Sequence, residues 1–270
     1  MSKPLYSHKL SRGTNRYLEM FDFNKRTVLI TGASRGIGAA AAKLFARQGA
    51  NVVVNYYANK DKAEKLLNQI KSQGGTAELY RADVAQNDQC RKMVDWTVGR
   101  FGAIDILVNN AGIWKEAAID KMTSEQLAET VNCNLNGCFY CTTAAVPYMK
   151  KQKSGNIIFV SSTAGQRGEA YHSHYAATKG ALISLTKSLA PELAPDNIMV
   201  NCVAPGWVDT DMSHETIVSP DGPKYISLIP LGRAATPEEI AWPILFMASP
   251  MASFITGEVL NVNGGAVLVG

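Results

Sequence analysis

No apolar run in this chain approaches the ~20 residues that a bilayer-spanning helix needs, so no membrane span is expected. Lys3, Lys9, Arg12, Arg16, Lys25 and Arg26 make the N-terminus basic. The apolar centre of a signal peptide is missing there, and Glu19 and Asp22 interrupt a transit-peptide pattern. Residues 1–24 read as an N-terminal extension that packs on a neighbour or stays mobile. Cysteine is scarce. Cys90, Cys133, Cys138, Cys141 and Cys202 form an odd, scattered set, which argues against a disulfide framework and for a reducing, cytoplasmic compartment. Cys138-Phe-Tyr-Cys141 has the spacing of a redox pair but falls in the middle of a helical pattern, where two buried small apolar residues are expected. The net charge of +4 is small and dispersed, so no nucleic-acid partner is expected. His172 and His174 lie two apart and complete no metal-ligand set; they line a substrate pocket or are simply exposed. No linker rich in Pro, Gly or Ser and no repeat of 20–50 residues divides the chain, so residues 25–270 read as one domain.

What is present is an alternation. Short apolar runs at Thr27–Thr31, Asn51–Asn55, Ala77–Arg81, Ile104–Asn109, Asn156–Ser161, Ile198–Ala204 and Val259–Val262 are separated by helical patterns over about 36–48, 60–73, 87–101, 123–150, 174–193 and 236–248. Strict β/α alternation with continuous apolar strands means a parallel sheet covered on both faces. The expected fold class is therefore α/β: a Rossmann-type, doubly wound sheet of seven parallel strands flanked by helices on both faces.

Two stretches carry chemistry. The first is the glycine-rich turn Thr31-Gly32-Ala33-Ser34-Arg35-Gly36-Ile37-Gly38, directly after a strand and opening an alanine-rich helix. Glycines let the backbone approach a pyrophosphate, and the helix N-terminus offers free N–H groups and partial positive charge. The second runs from Ser161 to Lys179. Tyr175 and Lys179 are four apart, on one face of a helix. A free phenol has a pKa of about 10, and an ammonium beside it stabilises the phenolate. A shift of about three units needs roughly 4 kcal/mol of differential interaction. Ser162, at the strand end, is in place to hydrogen-bond the oxygen whose proton is moved. Taken together, these groups read as a proton-transfer site for a carbinol or carbonyl.

The spacing Gly32-x3-Gly36-x-Gly38 resembles that of the short-chain dehydrogenase/reductase family. The similarity continues through Asp83-Val84, Asn109-Asn110-Ala111-Gly112, Asn134, Ser162, Tyr175-x3-Lys179 and Pro205-Gly206-Trp207-Val208-Asp209-Thr210, in order, to the final Asn263-Gly264-Gly265. It covers nearly everything from residue 25 to 270. The resemblance implies an oxidoreductase that moves a hydride between a nicotinamide cofactor and a carbonyl/alcohol substrate. Asn134, Ser162, Tyr175 and Lys179 would be catalytic: Tyr175 the acid or base, Lys179 lowering its pKa and bonding the nicotinamide ribose, Ser162 holding the substrate oxygen. Asn134 would disturb its helix so that its main-chain carbonyl holds a relay water. The cofactor would lie on Gly32, Ser34, Arg35, Gly36, Ile37, Gly38, Asn55, Tyr56, Asp83, Val84, Asn110, Ala111, Gly112, Tyr175, Lys179, Pro205, Gly206, Val208 and Thr210. Asp83 also reads simply as a helix N-cap, and the Asn109–Gly112 run as tight polar turns supporting the sheet centre.

Cofactor identity turns on two positions. Tyr56 stands where NAD-preferring members place an acid on the ribose 2′-hydroxyl, and Arg35 where NADP-preferring ones carry a base. NADP(H) is therefore favoured, with NAD(H) possible; Lys60 and Lys62 add charge nearby, diluted by Asp61. Residues 211–231 lack periodicity and carry Pro220, Gly222, Pro223 and Pro230, which reads as part of a substrate lid over about 207–231. Trp207, Met212 and His172 are the substrate-contact candidates, with His214, Tyr225 and Ile226 as further lid contacts; Trp207, Met212, His214, Tyr225 and Ile226 equally read as residues that only pack the lid down. The expected partners are a small-molecule carbonyl or alcohol and further copies of the chain, as a homotetramer or dimer meeting on the helices at 123–150 and 174–193. Reduction of 3-oxoacyl-acyl-carrier protein is one alternative. Lys150, Lys151 and Lys153 offer a basic surface for an acidic carrier, whereas Asp196 departs from the basic residue such reductases often have nearby. Sugar or polyol oxidation, a lyase or epimerase on the same fold, and a cofactor-binding scaffold or sensor are the others.

Overall fold

The structure, a computed structural model, describes residues 21–268. Within them seven strands form one sheet: β1 (Thr27–Ile30), β2 (Asn51–Tyr56), β3 (Thr76–Arg81), β4 (Ile106–Asn109), β5 (Gly155–Val160), β6 (Ile198–Pro205) and β7 (Val259–Val262). Their order is β3-β2-β1-β4-β5-β6-β7, and every pairing is parallel. Apolar residues occur on both faces because both are covered. Val28, Ile30, Val52, Val54, Ile106 and Val108 pack against α1 (Gly36–Arg47), α2 (Lys60–Ser72) and α10 (Pro237–Met247). The alternate residues Leu29, Val53, Leu107, Ile157 and Phe159 pack against α3 (Asn87–Phe101), α5 (Gly137–Gln152) and α7 (Ser173–Leu193). This is the doubly wound, Rossmann-type arrangement expected. Its strand order reverses between β1 and β4, and the crevice beyond the carboxyl ends of those strands is where such sheets bind ligands.

The differences from the expected elements have local causes. Helices expected from 123 and 236 begin one residue later, since Thr123 and Thr236 are their N-caps. Each sits in a capping box, with Gln126 or Glu239 reaching back. Thr236→Ala is expected to cost about 1 kcal/mol in urea unfolding, because it strips the Glu239 N–H of its cap. The single helix expected over 123–150 is three pieces: α4 (Ser124–Val131), a π-helical turn (Asn132–Asn136) and α5. The segment read as irregular contains two short helices, α8 (His214–Val218) and α9 (Gly222–Ser227), and α6 (Thr163–Arg167) follows β5. Helices of five or six residues make too little of a 3.6-residue pattern to be seen in sequence. Most of the expected N-terminal extension, residues 1–20, lies outside the described residues. Phe23, also placed in that extension, is buried edge-on against Phe45 at 5.0 Å, so the core reaches back at least that far.

Candidate active site

The floor of the site is the turn after β1. Gly32 has φ +61°, and a Cβ there would lie 2.8 Å from the Ala111 Cα, so only glycine lets the two turns meet. Asn110 locks them: its amide donates to the Thr31 and Gly32 carbonyls at 2.9 and 3.2 Å, and Thr31 Oγ1 accepts from the Asn110 and Ala111 N–H groups at 3.0 Å. Asn55, fully buried on β2, accepts from the Gly32 N–H at 3.0 Å and donates to the Ala82 carbonyl at 3.1 Å. These two amides thus set the shape of the turn. At the start of α1, Arg35 is the N-cap but makes no side-chain cap, and the first turn holds no acidic residue. The leading N–H groups are left for an anion, and the glycine cradle leaves it room, so the residues fit a dinucleotide pyrophosphate.

The facing wall is built by the ends of β5, α6 and α7. Ser162 caps α6, its hydroxyl accepting from the Ala164 N–H at 3.1 Å. Ser161 ties this turn to α7 by donating to the Lys179 carbonyl at 2.7 Å. α6 and α7 approach so closely that a Cβ on Gly165 would lie 2.5 Å from the Lys179 carbonyl carbon. Lys179 is buried, donates from Nζ to the Val160 carbonyl at 2.7 Å, and lies 5.7 Å from the Tyr175 ring centroid. Burial lowers its pKa, partly offset by the Cys138 thiol nearby. The expected lowering of the phenol by Lys179 is not what this arrangement produces. Burial pushes Tyr175 up to about 12, the Ser162 hydrogen bond pulls the other way, and Glu169 adds to the rise. The ammonium is engaged by a backbone carbonyl beside the ring rather than by the phenol oxygen. Tyr175 as a whole is half-buried and lines the cleft.

Asn134 stands in the π-helical turn, fully buried, a place where such turns are often functional. Its side chain accepts from the Ile113 N–H at 2.8 Å and donates to the Ile113 carbonyl and Thr178 Oγ1 at 2.9 and 3.4 Å. It is a strut between the loop after β4 and α7, and its own carbonyl accepts from the Cys138 thiol at 3.3 Å. Cys138 and Cys141 are buried and free, and burial pushes Cys138 up to about 12, as two apolar helix residues would be.

Floor and wall enclose one cleft of about 420 Å³. It is lined by all the expected catalytic and cofactor residues except Gly38 and Asn134, which act from behind it, and by Trp207 and Met212 of the substrate candidates. His172 is a correction. It is buried, off the lining, and stacked flat on Trp114 at 4.4 Å, so it backs the pocket wall. His174 is buried as well, both ring nitrogens unpartnered, and burial, with His172 beside it, lowers its pKa. Trp114 and Glu169 were missed. Trp114 meets Trp207 edge-on at 5.8 Å, and Trp207 packs on Tyr225 at 5.1 Å, giving an aromatic corner in the cleft that Tyr175 also lines. Burial raises the Glu169 carboxyl, against the pull of His172 and a hydrogen bond from Trp114. Neither residue has a spacing signal; a lone tryptophan after a turn is indistinguishable in sequence from packing.

Asp83 is not a helix N-cap, since α3 starts at Asn87 behind Gln86. Its carboxylate instead accepts from the Ala85 N–H at 2.9 Å, holding the turn that lines the cleft beside Val84. At this end Arg35 contacts Asp211 at 3.4 Å, and Lys62 pairs with the same carboxylate oxygen. Lys60 is turned to Glu64 at 3.4 Å. Far from the cleft, Lys153 and Lys150 contact Asp196 at 2.5 and 3.7 Å, so the basic surface expected for an acidic carrier is partly neutralised. Among the described residues no cluster of side chains suits a metal ion, and no helix is long and apolar enough to cross a membrane.

A family model described as enoyl-(acyl carrier protein) reductase matches residues 32–267. The 3-oxoacyl-acyl-carrier-protein reductase of Thermotoga maritima is 41% identical over 243 residues, covering 90% of this chain and 98% of that protein. The 3-oxoacyl-acyl-carrier-protein reductase of Synechocystis sp. is 41% identical over 244 residues, covering 90% and 97%. Among solved structures, a short-chain dehydrogenase/reductase titled glucose/ribitol dehydrogenase, from Brucella melitensis, superposes with a TM-score of 0.86 at 36% identity, covering 92% of this chain and 99% of that one.

Proposed function

Since the chain belongs to the short-chain dehydrogenase/reductase family and is an oxidoreductase acting on CH–OH/C=O groups with NAD(P), we propose that it reduces a ketone with NADPH. The observation that carries this reading is that Ser162, Tyr175 and Lys179 line the same cleft as the glycine-rich turn. A nicotinamide cofactor, when bound, would supply the hydride. Tyr175 gives its phenol proton to the carbonyl oxygen, and Ser162 hydrogen-bonds that oxygen and keeps it in line. A phenol held near 12 is fully protonated at neutral pH, the form needed by the acid of a reduction. Lys179 would hold the cofactor's nicotinamide ribose, and Asn134 keeps the loop after β4 and α7 in register beside it, with its turn placed to hold a relay water. Val208 and Thr210 would fix the nicotinamide amide. Residues 207–231 form the lid, an assignment supported by the tie of its base to Ala235 through the Trp207 carbonyl and the Asp209 N–H at 2.9 and 2.8 Å.

Arg35, Lys62 and the absence of an acid at Tyr56 support NADP(H) over NAD(H). Titration of the protein with NADPH and NADH is expected to give tighter binding of NADPH, and Arg35→Ala is expected to narrow the difference about tenfold. Equal binding, unchanged in the variant, overturns the preference. The five free thiols support a reducing, cytoplasmic setting. Exposed Leu127 and Phe139 on α4 and α5 support self-association there as a tetramer or dimer.

The second reading, reduction of a 3-oxoacyl group on a carrier protein, is favoured by the names of the relatives at 41% identity. Asp196, which partly neutralises Lys150 and Lys153, counts against it. Turnover of a carrier-bound substrate at least as efficient as that of small ketones decides for it. Cofactor binding without turnover over a broad carbonyl panel decides for a scaffold.

A further inference from the structure

We infer that Asp211 sets the nucleotide preference by competing with the cofactor's 2′-phosphate for Arg35 and Lys62. The inference rests on the reading above that Arg35 faces that phosphate.

Three separate elements meet here: the glycine-rich turn brings Arg35, the first turn of α2 brings Lys62, and the segment after β6 brings Asp211. A single oxygen, Asp211 Oδ2, bridges both cations, at 3.4 Å from Arg35 and closer still to Lys62. Two cations focused on one oxygen beside a glycine-rich turn make the charge pattern of a phosphate site, and the carboxylate stands where a phosphate oxygen would. The turn is built to hold it there. Thr210 reaches over Gly36, whose Cβ would lie 3.4 Å from the Thr210 methyl, and Ser213 bonds back to the Val208 carbonyl. Lys62 first, and Arg35 with it, hold the Asp211 carboxyl below its ordinary range, so it is anionic at neutral pH.

All three side chains are roughly half exposed, at 44% for Arg35 and Asp211 and 51% for Lys62. Ion pairs that open to water are weak, and a dianionic phosphate displaces a carboxylate from them. Binding NADP(H) therefore requires breaking two pairs or seating the phosphate beside a like charge, whereas NAD(H) leaves the pairs untouched. Asp211 lowers the preference for NADP(H) without contacting the reacting atoms.

The test is calorimetric titration of the full chain with adenosine 2′,5′-bisphosphate and with AMP, which differ by the one phosphate. Asp211→Asn is expected to bind the bisphosphate about three- to tenfold tighter, with AMP affinity unchanged. Asp211→Ala is expected to act in the same direction, which guards against a defect of one variant. Unchanged or weaker bisphosphate binding in both overturns the inference, and equal weakening for both nucleotides makes Asp211 a clasp over any bound nucleotide instead. Arg35→Gln separates the two levels. If it weakens the bisphosphate alone while the Asp211 variants do nothing, the NADP reading stands and this inference fails. If the wild type binds both nucleotides equally and Arg35→Gln changes neither, both fail together.

Discussion

Tyr175→Phe is expected to lower turnover about a thousandfold while leaving nucleotide affinity unchanged, the scale of a removed general acid. The substitution deletes one oxygen and keeps the ring, so the packing of α7 on α6 is retained. Tyr175 lines the cleft, but the turn that would cradle the pyrophosphate is formed by Gly32, Asn110 and the start of α1, none of which the lost oxygen contacts by a hydrogen bond. Single-turnover reduction and NADPH titration on the same samples check the two halves. Full activity in the variant sinks the assignment of Tyr175, and a parallel loss of nucleotide affinity shows a packing role. A phenol pushed to about 12 also predicts a reduction rate that is flat through neutral pH and falls only in strong alkali, when the acid loses its proton. Ser162 pulls the phenol down. Ser162→Ala is therefore expected to move that fall further up in pH, in addition to slowing turnover.

Gly38→Ala is the second large effect. A Cβ at this position would lie 2.6 Å from Asn110 Nδ2, 2.8 Å from the Ala33 Cα and 2.9 Å from the Gly32 carbonyl oxygen. Two of those atoms are backbone of the cradle, and the third belongs to the amide that joins the ends of β1 and β4, so no flexible side-chain end can yield. Overpacking of this kind costs typically ~1–3 kcal/mol. The relaxation that limits the cost opens the turn against which a pyrophosphate would rest. The expected outcome is a lower urea midpoint together with loss of measurable binding of both NADPH and NADH. Wild-type nucleotide affinity in a destabilised variant would show that the turn tolerates displacement and is not the cradle.

The strand set was legible because each strand is apolar on both faces, a consequence of helices covering both sides, and because Gly, Asn and Ser mark where each run stops. β7 and α3 match their expected spans, and the other strands and most of the helices differ by a residue or two at their ends. The cleft residues Ser162, Tyr175 and Lys179 were legible for a related reason. They belong to a strand end and one helix face, where spacing in sequence is spacing in space.

What the chain order alone dictates here is local: the periodicity of each element, the glycines its turns require, and the 4-residue rise that stacks Tyr175 under Lys179. Charge and solvent are not local. Tyr175 is expected below its ordinary value because a cation lies one turn away, yet burial raises the phenol instead, and the Val160 carbonyl takes the ammonium. Arg35 and Lys62 are cations in the sequence, but folding brings Asp211, 176 residues after Arg35, onto both. His172 is polar in the sequence and buried under Trp114 in the fold. Desolvation and Coulomb pairing depend on which groups end up within a few ångströms, and in a doubly wound sheet those groups come from opposite ends of the chain.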